Sequence, residues 1–125
     1  MLDVLINNRY TITAAILFVI GFSNLLLQQN LIKKVIAFNV MDGSTFIFLA
    51  SRGFVTGRTA AILTDGGANP ALYVNPIPAG LVLTAIVVSV SVSAFALALI
   101  QRIYRRYGTI DMRELLVLLR EKEVE

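Results

Sequence analysis

The chain has 125 residues, of which 57% are hydrophobic and 15% are charged, and its formal net charge is +3. Soluble domains contain about 45–50% apolar and about 25% charged residues, so this composition predicts a membrane protein. The sequence lacks cysteine and histidine, which excludes disulfides, thiolate or imidazole metal sites and histidine-based catalysis. We therefore expect no catalytic residue, no metal site and no cofactor in this chain. Its cations flank apolar stretches, so we also expect no nucleic-acid surface.

The first predicted membrane span covers residues 10–27, which contain no charged side chain. A cleaved signal peptide is disfavoured, because Arg9 is the only cation before this stretch and no small-residue cleavage site follows it. Residues 28–34 are then too few for more than a tight connection. We therefore expect the next helix to run antiparallel to the first.

The second predicted span covers residues 35–51 and contains one ionisable group, Asp42, near its middle. A central Asp costs roughly 2.5–3.5 kcal/mol on insertion scales, and such residues usually face a bundle interior or an ion path. Asn39, Asp42 and Thr45 recur every three residues and share an arc of about 120°. This stripe is either an ion-translocation site or an interhelical anchor. Gly43 beside it permits a close helix crossing or water at the carboxyl.

Residues 52–78 are rich in glycine, asparagine and proline and are predicted to form a loop. The third predicted span follows at residues 79–101, which carry no charge before residue 102. On a helix, Ala85, Ser89 and Ser93 form part of a ridge of small residues. We interpret this ridge as a helix-packing surface rather than as a serine-lined conduit.

Residues 102–125 form the predicted tail. Gly108 should end the third span, and Thr109 or Asp111 can cap a short final helix. One side of that helix is apolar and its charges are of mixed sign, which favours a partner surface over a purely lipid-binding helix.

The distribution of cations predicts the orientation of the chain. Eight cations lie on the side that holds the first connection and the C-terminus: Lys33, Lys34, Arg102, Arg105, Arg106, Arg113, Arg120 and Lys122. Only Arg9, Arg52 and Arg58 lie on the other side. By the positive-inside rule, the N-terminus and the loop at 52–78 are outside and the C-terminal helix is cytoplasmic. The prediction is thus a single all-α membrane domain, 1–125, with three transmembrane helices.

Two sequence motifs carry a resemblance to a known family. Residues 29–36 read Gln-Asn-Leu-Ile-Lys-Lys-Val-Ile, and residues 75–88 read Asn-Pro-Ile-Pro-Ala-Gly-Leu-Val-Leu-Thr-Ala-Ile-Val-Val. Together they resemble the small C-type component of Mrp-type multisubunit cation/proton antiporters, over roughly residues 10–115. That family is homologous to the K subunit of respiratory complex I and includes the equivalent subunit of archaeal membrane-bound hydrogenase and sulfane reductase complexes. The second motif departs from the family only at Ala79 and Gly80, where Gln-Ala is usual.

The resemblance implies a multi-pass subunit of the cell membrane that contributes to or supports an ion path beside other membrane subunits and lipid. The host is either an Na⁺/H⁺ antiporter or a redox-driven complex whose flavins and iron–sulfur clusters lie in other chains, so this chain is not an enzyme by itself. The K subunits of complex I have glutamates at the position of Asn39 and near Ser91 or Val92. This chain has neither, and Asp42 is its intramembrane acid.

Two alternatives accompany this interpretation. A purely structural assembly subunit would use the polar stripe only to lock neighbouring helices. A self-assembling small drug exporter is disfavoured, because the motif is absent from that class and because the acid here lies in the second helix rather than the first.

Overall fold

The computed structural model describes residues 1–55, 57–60, 62 and 69–125. Within these residues, five α-helices and one short 3₁₀ helix follow one another: α1 Leu2–Asn7, α2 Arg9–Leu27, α3 Leu31–Gly53, the 3₁₀ turn Pro70–Leu72, α4 Ile77–Tyr107 and α5 Met112–Val124. Among the described residues, β-pairing is limited to two isolated bridges. The prediction of an all-α protein is therefore confirmed.

Two helices of the described chain, α2 and α4, are long and apolar enough to cross a membrane. Only 11% and 6% of their most apolar stretches are buried within the chain, whereas the core helix of a soluble protein would be mostly buried. Such surfaces suit helices that face lipid or other membrane subunits. Helix α3 has 23 residues, but polar residues such as Asn39 and Asp42 make it less apolar than α2 and α4.

The three long helices lie side by side, with α3 packed between α2 and α4. Helices α2 and α3 form an antiparallel hairpin, as predicted, because only residues 28–30 separate them. Helix α4 also runs antiparallel to α3, since Gly53 at the end of α3 lies against Pro78 at the start of α4. The chain thus forms a layer of three helices with α3 at its centre.

Helices α2 and α3 approach closely at Gly21. A Cβ atom at this position would lie 2.9 Å from the backbone nitrogen of Met41 and 3.0 Å from the carbonyl oxygen of Ala37. Along this contact the buried residues are small and seven apart, Ala14 and Gly21 on α2 and Ala37 and Ser44 on α3, while the third buried residue of α3, Gly53, lies at its end. Small residues at this spacing let two helix backbones approach closely.

The end of α4 and the start of α5 follow the sequence prediction. Gly108 ends α4 in the left-handed conformation, with φ +73°, and its N–H bonds the carbonyl oxygen of Tyr104. The Asp111 carboxylate caps α5 by accepting hydrogen bonds from the backbone N–H groups of Arg113 and Glu114. Thr109 donates to the Glu114 carboxylate at 2.7 Å. These contacts reverse the chain at the end of the long helix.

Helix α5 is attached to the turn between α2 and α3. The Leu31 N–H donates to the Ile110 carbonyl at 3.0 Å, and the Met112 N–H donates to the Gln29 carbonyl at 2.9 Å. Between them Asn30 caps α3 through its side-chain oxygen. Both α3 and α5 therefore begin beside this pair of backbone hydrogen bonds. The pair lies at the end of the helices that the cation distribution predicts to be cytoplasmic.

Helix boundaries differ from the predicted spans mainly at the polar ends. Helix α4 extends beyond the predicted apolar span 79–101 and ends at Tyr107, just before the predicted stop at Gly108, because the residues after the apolar run form helices readily. Helix α3 begins at Leu31 and ends at Gly53, so the segment between α3 and α4 is shorter than the predicted loop 52–78. The short helix α1 before the first span was not predicted.

Candidate functional site

Asp42 is the middle residue of α3. At about 1.5 Å per residue it lies roughly 16 Å from either end of the helix. The Ser89 hydroxyl of α4 donates a hydrogen bond of 2.8 Å to its Oδ2 atom. The carboxyl group thus lies at the contact between α3 and α4.

A second hydrogen bond joins the same two helices one turn away. The Ser93 hydroxyl donates to Oδ1 of Asn39 at 2.6 Å. Three residues separate the two sites on α3 and four separate them on α4, so both pairs lie on one face of each helix. We call the four side chains Asn39, Asp42, Ser89 and Ser93 the polar seam.

The polar seam is only partly covered by this chain. Asp42, Ser89 and Ser93 are half-buried and Asn39 is exposed. The open part of the seam therefore faces whatever lies against α3 and α4 in the membrane. In lipid alone such a surface is costly, since polar groups in hydrocarbon need partners.

Thr45, the third residue of the predicted stripe, does not join the seam. Its hydroxyl bonds the Met41 carbonyl of its own helix at 3.2 Å, and its side chain lines an apolar groove between α2 and α3. Each step of three residues rotates the side chain by about 60° away from the previous one. Two steps therefore carry the stripe from the α4 side of α3 at Asn39 to the α2 side at Thr45.

The residues predicted to pack helices together differ from one another in their contacts. Ala85, Ser89 and Ser93 lie on the half-buried side of α4, where the two serines meet α3. Gly43 makes no close approach within the described chain, because a Cβ atom there would have no neighbour within 4 Å. Within the described chain a close crossing lies at Gly21. At Gly43, a close crossing by a helix outside this chain or water at the Asp42 carboxyl stays a prediction.

Sequence reasoning missed two residues at these contacts, Gly21 and Ser44. Ser44 is 2% exposed, and its hydroxyl bonds the Met41 carbonyl within α3. The recurrence of small residues at a spacing of seven in both helices was the available signal.

The chemistry of the polar seam is that of oxygen atoms. A carboxyl group can bind and release a proton, and hydroxyl groups can both donate and accept hydrogen bonds. The same oxygens suit a hard cation such as Na⁺. Within the described residues, no group of three His, Cys, Asp or Glu side chains is placed to hold a metal ion. The seam alone therefore offers one titratable group, with polar neighbours, to a proton or a partly hydrated cation.

Comparison with known sequences finds a family model and relatives that match most of this chain. Residues 9–119 match the profile of the family described as NADH-ubiquinone/plastoquinone oxidoreductase chain 4L. The chain is similar to the C-type component of the Na(+)/H(+) antiporter of Alkalihalophilus pseudofirmus, with 31% identity over 106 residues, 84% of this chain and 90% of the relative. It is also similar to the C1-type component of the Na(+)/H(+) antiporter of Staphylococcus saprophyticus, with 38% identity over 85 residues, 68% of this chain and 71% of the relative.

Two solved structures share the fold. One is a chain of the membrane-bound sulfane sulfur reductase, an archaeal respiratory membrane complex, with a TM-score of 0.76 and 38% identity over 84% of this chain and 94% of that chain. The other is a chain of the Mrp complex from Dietzia sp. DQ12-45-1b, with a TM-score of 0.61 and 27% identity over 73% of this chain and 68% of that chain. The resemblance predicted from the two sequence motifs is thereby confirmed.

Proposed function

The chain belongs to the NADH-ubiquinone/plastoquinone oxidoreductase chain 4L family, and we propose that it is a three-span subunit of a multisubunit cation/proton antiporter module in which Asp42 contributes to the ion path. Its relatives named as parts of Na(+)/H(+) antiporters support the antiport module. The likeness to chains of two membrane complexes supports a role within an assembly rather than alone. The subunit is not an enzyme by itself.

The proposed third span is α3. Its 23 residues extend about 35 Å, enough for the hydrocarbon core of a bilayer. Lys34 at its start donates to the Leu25 carbonyl at 2.8 Å, which pairs its ammonium group with the C-terminal carbonyls of α2. With the eight-to-three distribution of cations, this arrangement favours a cell-membrane protein with its N-terminus outside and its C-terminus in the cytoplasm.

The observation that carries the ion-path role is the position of Asp42. It lies at mid-helix, bonded to Ser89 on one side and only half-buried on the other. A carboxyl group that is held at one oxygen and open at its other side can exchange a proton or a cation with a neighbouring subunit or with water. Such intramembrane acids usually serve ion or proton movement.

A structural anchor is the alternative, and the two serine hydrogen bonds favour it. The free energy of these hydrogen bonds is too small for an anchor role to be the whole explanation. Interhelical side-chain hydrogen bonds in membranes contribute about 0.6 kcal/mol on average and at most about 1.7 kcal/mol, whereas a central Asp costs roughly 2.5–3.5 kcal/mol. A single bond from Ser89 does not offset that cost. An anchor with an asparagine in place of Asp42 would be cheaper, so the carboxyl implies a use for its charge.

Two hosts fit the proposal, a secondary antiporter and a redox-driven complex. In the second case the redox cofactors belong to other chains, because this one has no cysteine to ligate iron–sulfur clusters. The neighbouring genes distinguish the two hosts. Hydrogenase-like or ferredoxin-like genes would indicate redox coupling, and antiporter genes alone would indicate secondary transport.

Transport by Asp42 variants tests the ion-path role. Asp42→Asn keeps the shape and the acceptor for Ser89 but removes the proton-binding group, while Asp42→Glu keeps that group on a longer arm. We expect both purified complexes to assemble in proteoliposomes, with cation-linked proton transport reduced to background by Asn and partly retained by Glu. Full transport by an assembled Asp42→Asn complex would leave this chain as a packing subunit.

A further inference from the structure

A polar cavity lies at the end of the hairpin opposite to its turn. It measures about 870 Å³, is partly open to the surroundings, and is lined by α1, the start of α2, the end of α3 and the two residues that follow α3. Two arginines line it, Arg9 from α2 and Arg52 from α3, together with one acidic residue, Asp3. Charged residues that lie far apart in sequence thus line one space, with the cations in excess.

An apolar groove continues from this cavity along the contact of α2 with α3. Thr11 lines both spaces. The groove measures about 330 Å³, and its other walls are mostly small or aromatic side chains: Ala14, Ala15, Phe18, Val19, Ser44, Thr45 and Phe48. From Thr11 to Val19 it extends roughly 12 Å along α2.

The two arginines lie at the boundary between the polar cavity and the apolar surface. The Arg52 guanidinium lies over the ring of Phe48, 5.1 Å from its centroid, and Phe48 also lines the groove. The Arg9 guanidinium lies 4.8 Å from the centroid of the Tyr10 ring. Cations held over aromatic rings at the end of apolar helices are typical of the membrane–water interface.

We propose that the cavity and the groove together bind one anionic phospholipid, with its phosphate between Arg9 and Arg52 and an acyl chain in the groove. Guanidinium groups bind phosphate through paired hydrogen bonds, and two of them exceed the single charge of Asp3. A free phosphate ion would use the cavity but not the apolar groove that opens from it. Basic pockets between membrane helices at the cytoplasmic side bind anionic headgroups, and the same pairing of cation and phosphate is available at the outer end of α2 and α3.

The inference rests on the proposed membrane insertion of α2 and α3 but not on the role of Asp42. The groove lies on the α2 side of α3, whereas the polar seam lies on the α4 side. A bound lipid would hold the outer ends of the two helices together beside Gly53. Loss of the lipid and loss of the ion path are therefore separable by experiment.

Photocrosslinking within the purified complex tests the proposal. The complex is placed in vesicles that contain photoactivatable phosphatidylglycerol or phosphatidylcholine with the same acyl chains, and labelled peptides are identified by mass spectrometry. We expect phosphatidylglycerol to label the α2 and α3 peptides of the groove severalfold more than phosphatidylcholine. In the double variant Arg9→Gln/Arg52→Gln, labelling by phosphatidylglycerol should fall to the phosphatidylcholine level.

Three controls accompany this experiment. Arg58→Gln removes a cation near the same end of the helices that does not line the cavity, and it should keep the preference. Arg9→Lys/Arg52→Lys retains both charges and should keep most of it. Excess inorganic phosphate should not displace the label. Transport is measured separately, and wild-type transport by the double variant Arg9→Gln/Arg52→Gln would show that the ion path is intact.

Several results would overturn the proposal. These are equal labelling by the two lipids, an unchanged preference in an assembled Arg9→Gln/Arg52→Gln complex, and displacement of the label by free phosphate. The absence of any lipid label in the groove would also overturn it, because another protein subunit would then occupy that surface.

Discussion

The Ser89 hydroxyl donates a 2.8 Å hydrogen bond to the Asp42 carboxyl, joining the middle of α3 to α4. Sequence reasoning assigned these residues to different roles, Asp42 to ion translocation and Ser89 to helix packing. In the structure the two side chains form one hydrogen-bonded pair, so the packing of α4 against α3 and the position of the Asp42 carboxyl group depend on each other. Any change of charge at Asp42 therefore acts on the contact between the two helices.

Replacement of Ser89 by alanine tests the strength of this pair. Ser89→Ala should destabilise the purified complex by about 0.6–1.7 kcal/mol, the range for interhelical hydrogen bonds in membranes. Ser91→Ala is the matched control, because the Ser91 hydroxyl bonds the Val87 carbonyl of its own helix at 2.9 Å and should have little effect. Denaturation in mixed micelles measures both. Equal losses from the two variants would show that the bond to Asp42 adds no stability.

Two glycines of the hairpin should respond in opposite ways to alanine. At Gly21 the new Cβ would lie 2.9 Å from backbone of α3, which cannot move as a side chain can, so Gly21→Ala should cost about 1–3 kcal/mol, as overpacking does. At Gly43 the space is open, and Gly43→Ala should leave stability unchanged or raise it slightly, since alanine favours helix. Melting of the detergent-solubilised complex distinguishes them. A stable Gly21→Ala variant would contradict the close crossing.

Much of the helical layout could be predicted from the sequence, because apolar runs and helix breakers act locally. The helix end at Gly108 and the cap at Asp111 follow from single residues and their neighbours. The register of α3 against α4 could not be predicted, since the long connection between them does not determine which serine meets Asp42. That register depends on side-chain packing along both helices.

Thr45 has different surroundings from Asn39 and Asp42, because α3 has two neighbouring helices within the chain. Sequence reasoning treated α3 as having one functional face, but the helix lies between α2 and α4 and presents different residues to each. A stripe with a period of three drifts around such a helix, so Thr45 reaches the α2 side. Gly43 adjoins Asp42 on α3, whereas the glycine at the close contact of the hairpin, Gly21, lies on α2.

The predicted orientation can be tested with single cysteines, because the natural chain has none. Ile62→Cys and Val124→Cys leave every charge unchanged and lie at positions that are 69% and 84% exposed. We expect an impermeant thiol reagent to label the first in intact cells and the second only after permeabilisation. The wild-type chain serves as the unlabelled control. The reverse pattern would place the N-terminus in the cytoplasm and contradict the cation count.

The half-open polar seam predicts how the chain behaves without its partners. Expressed alone, it should insert but be degraded, because Asp42 then faces lipid at a cost of roughly 2.5–3.5 kcal/mol. Asp42→Leu removes that cost, and the freed Ser89 hydroxyl can bond a carbonyl of its own helix, as Ser91 does. The variant expressed alone should therefore persist longer in a pulse-chase experiment than the wild-type chain, while the same change within the full complex should abolish transport. A conservative Val90→Leu change on the exposed side of α4 should alter neither measurement. If the wild-type chain alone were as long-lived as Asp42→Leu, the open side of the seam would need no partner subunit.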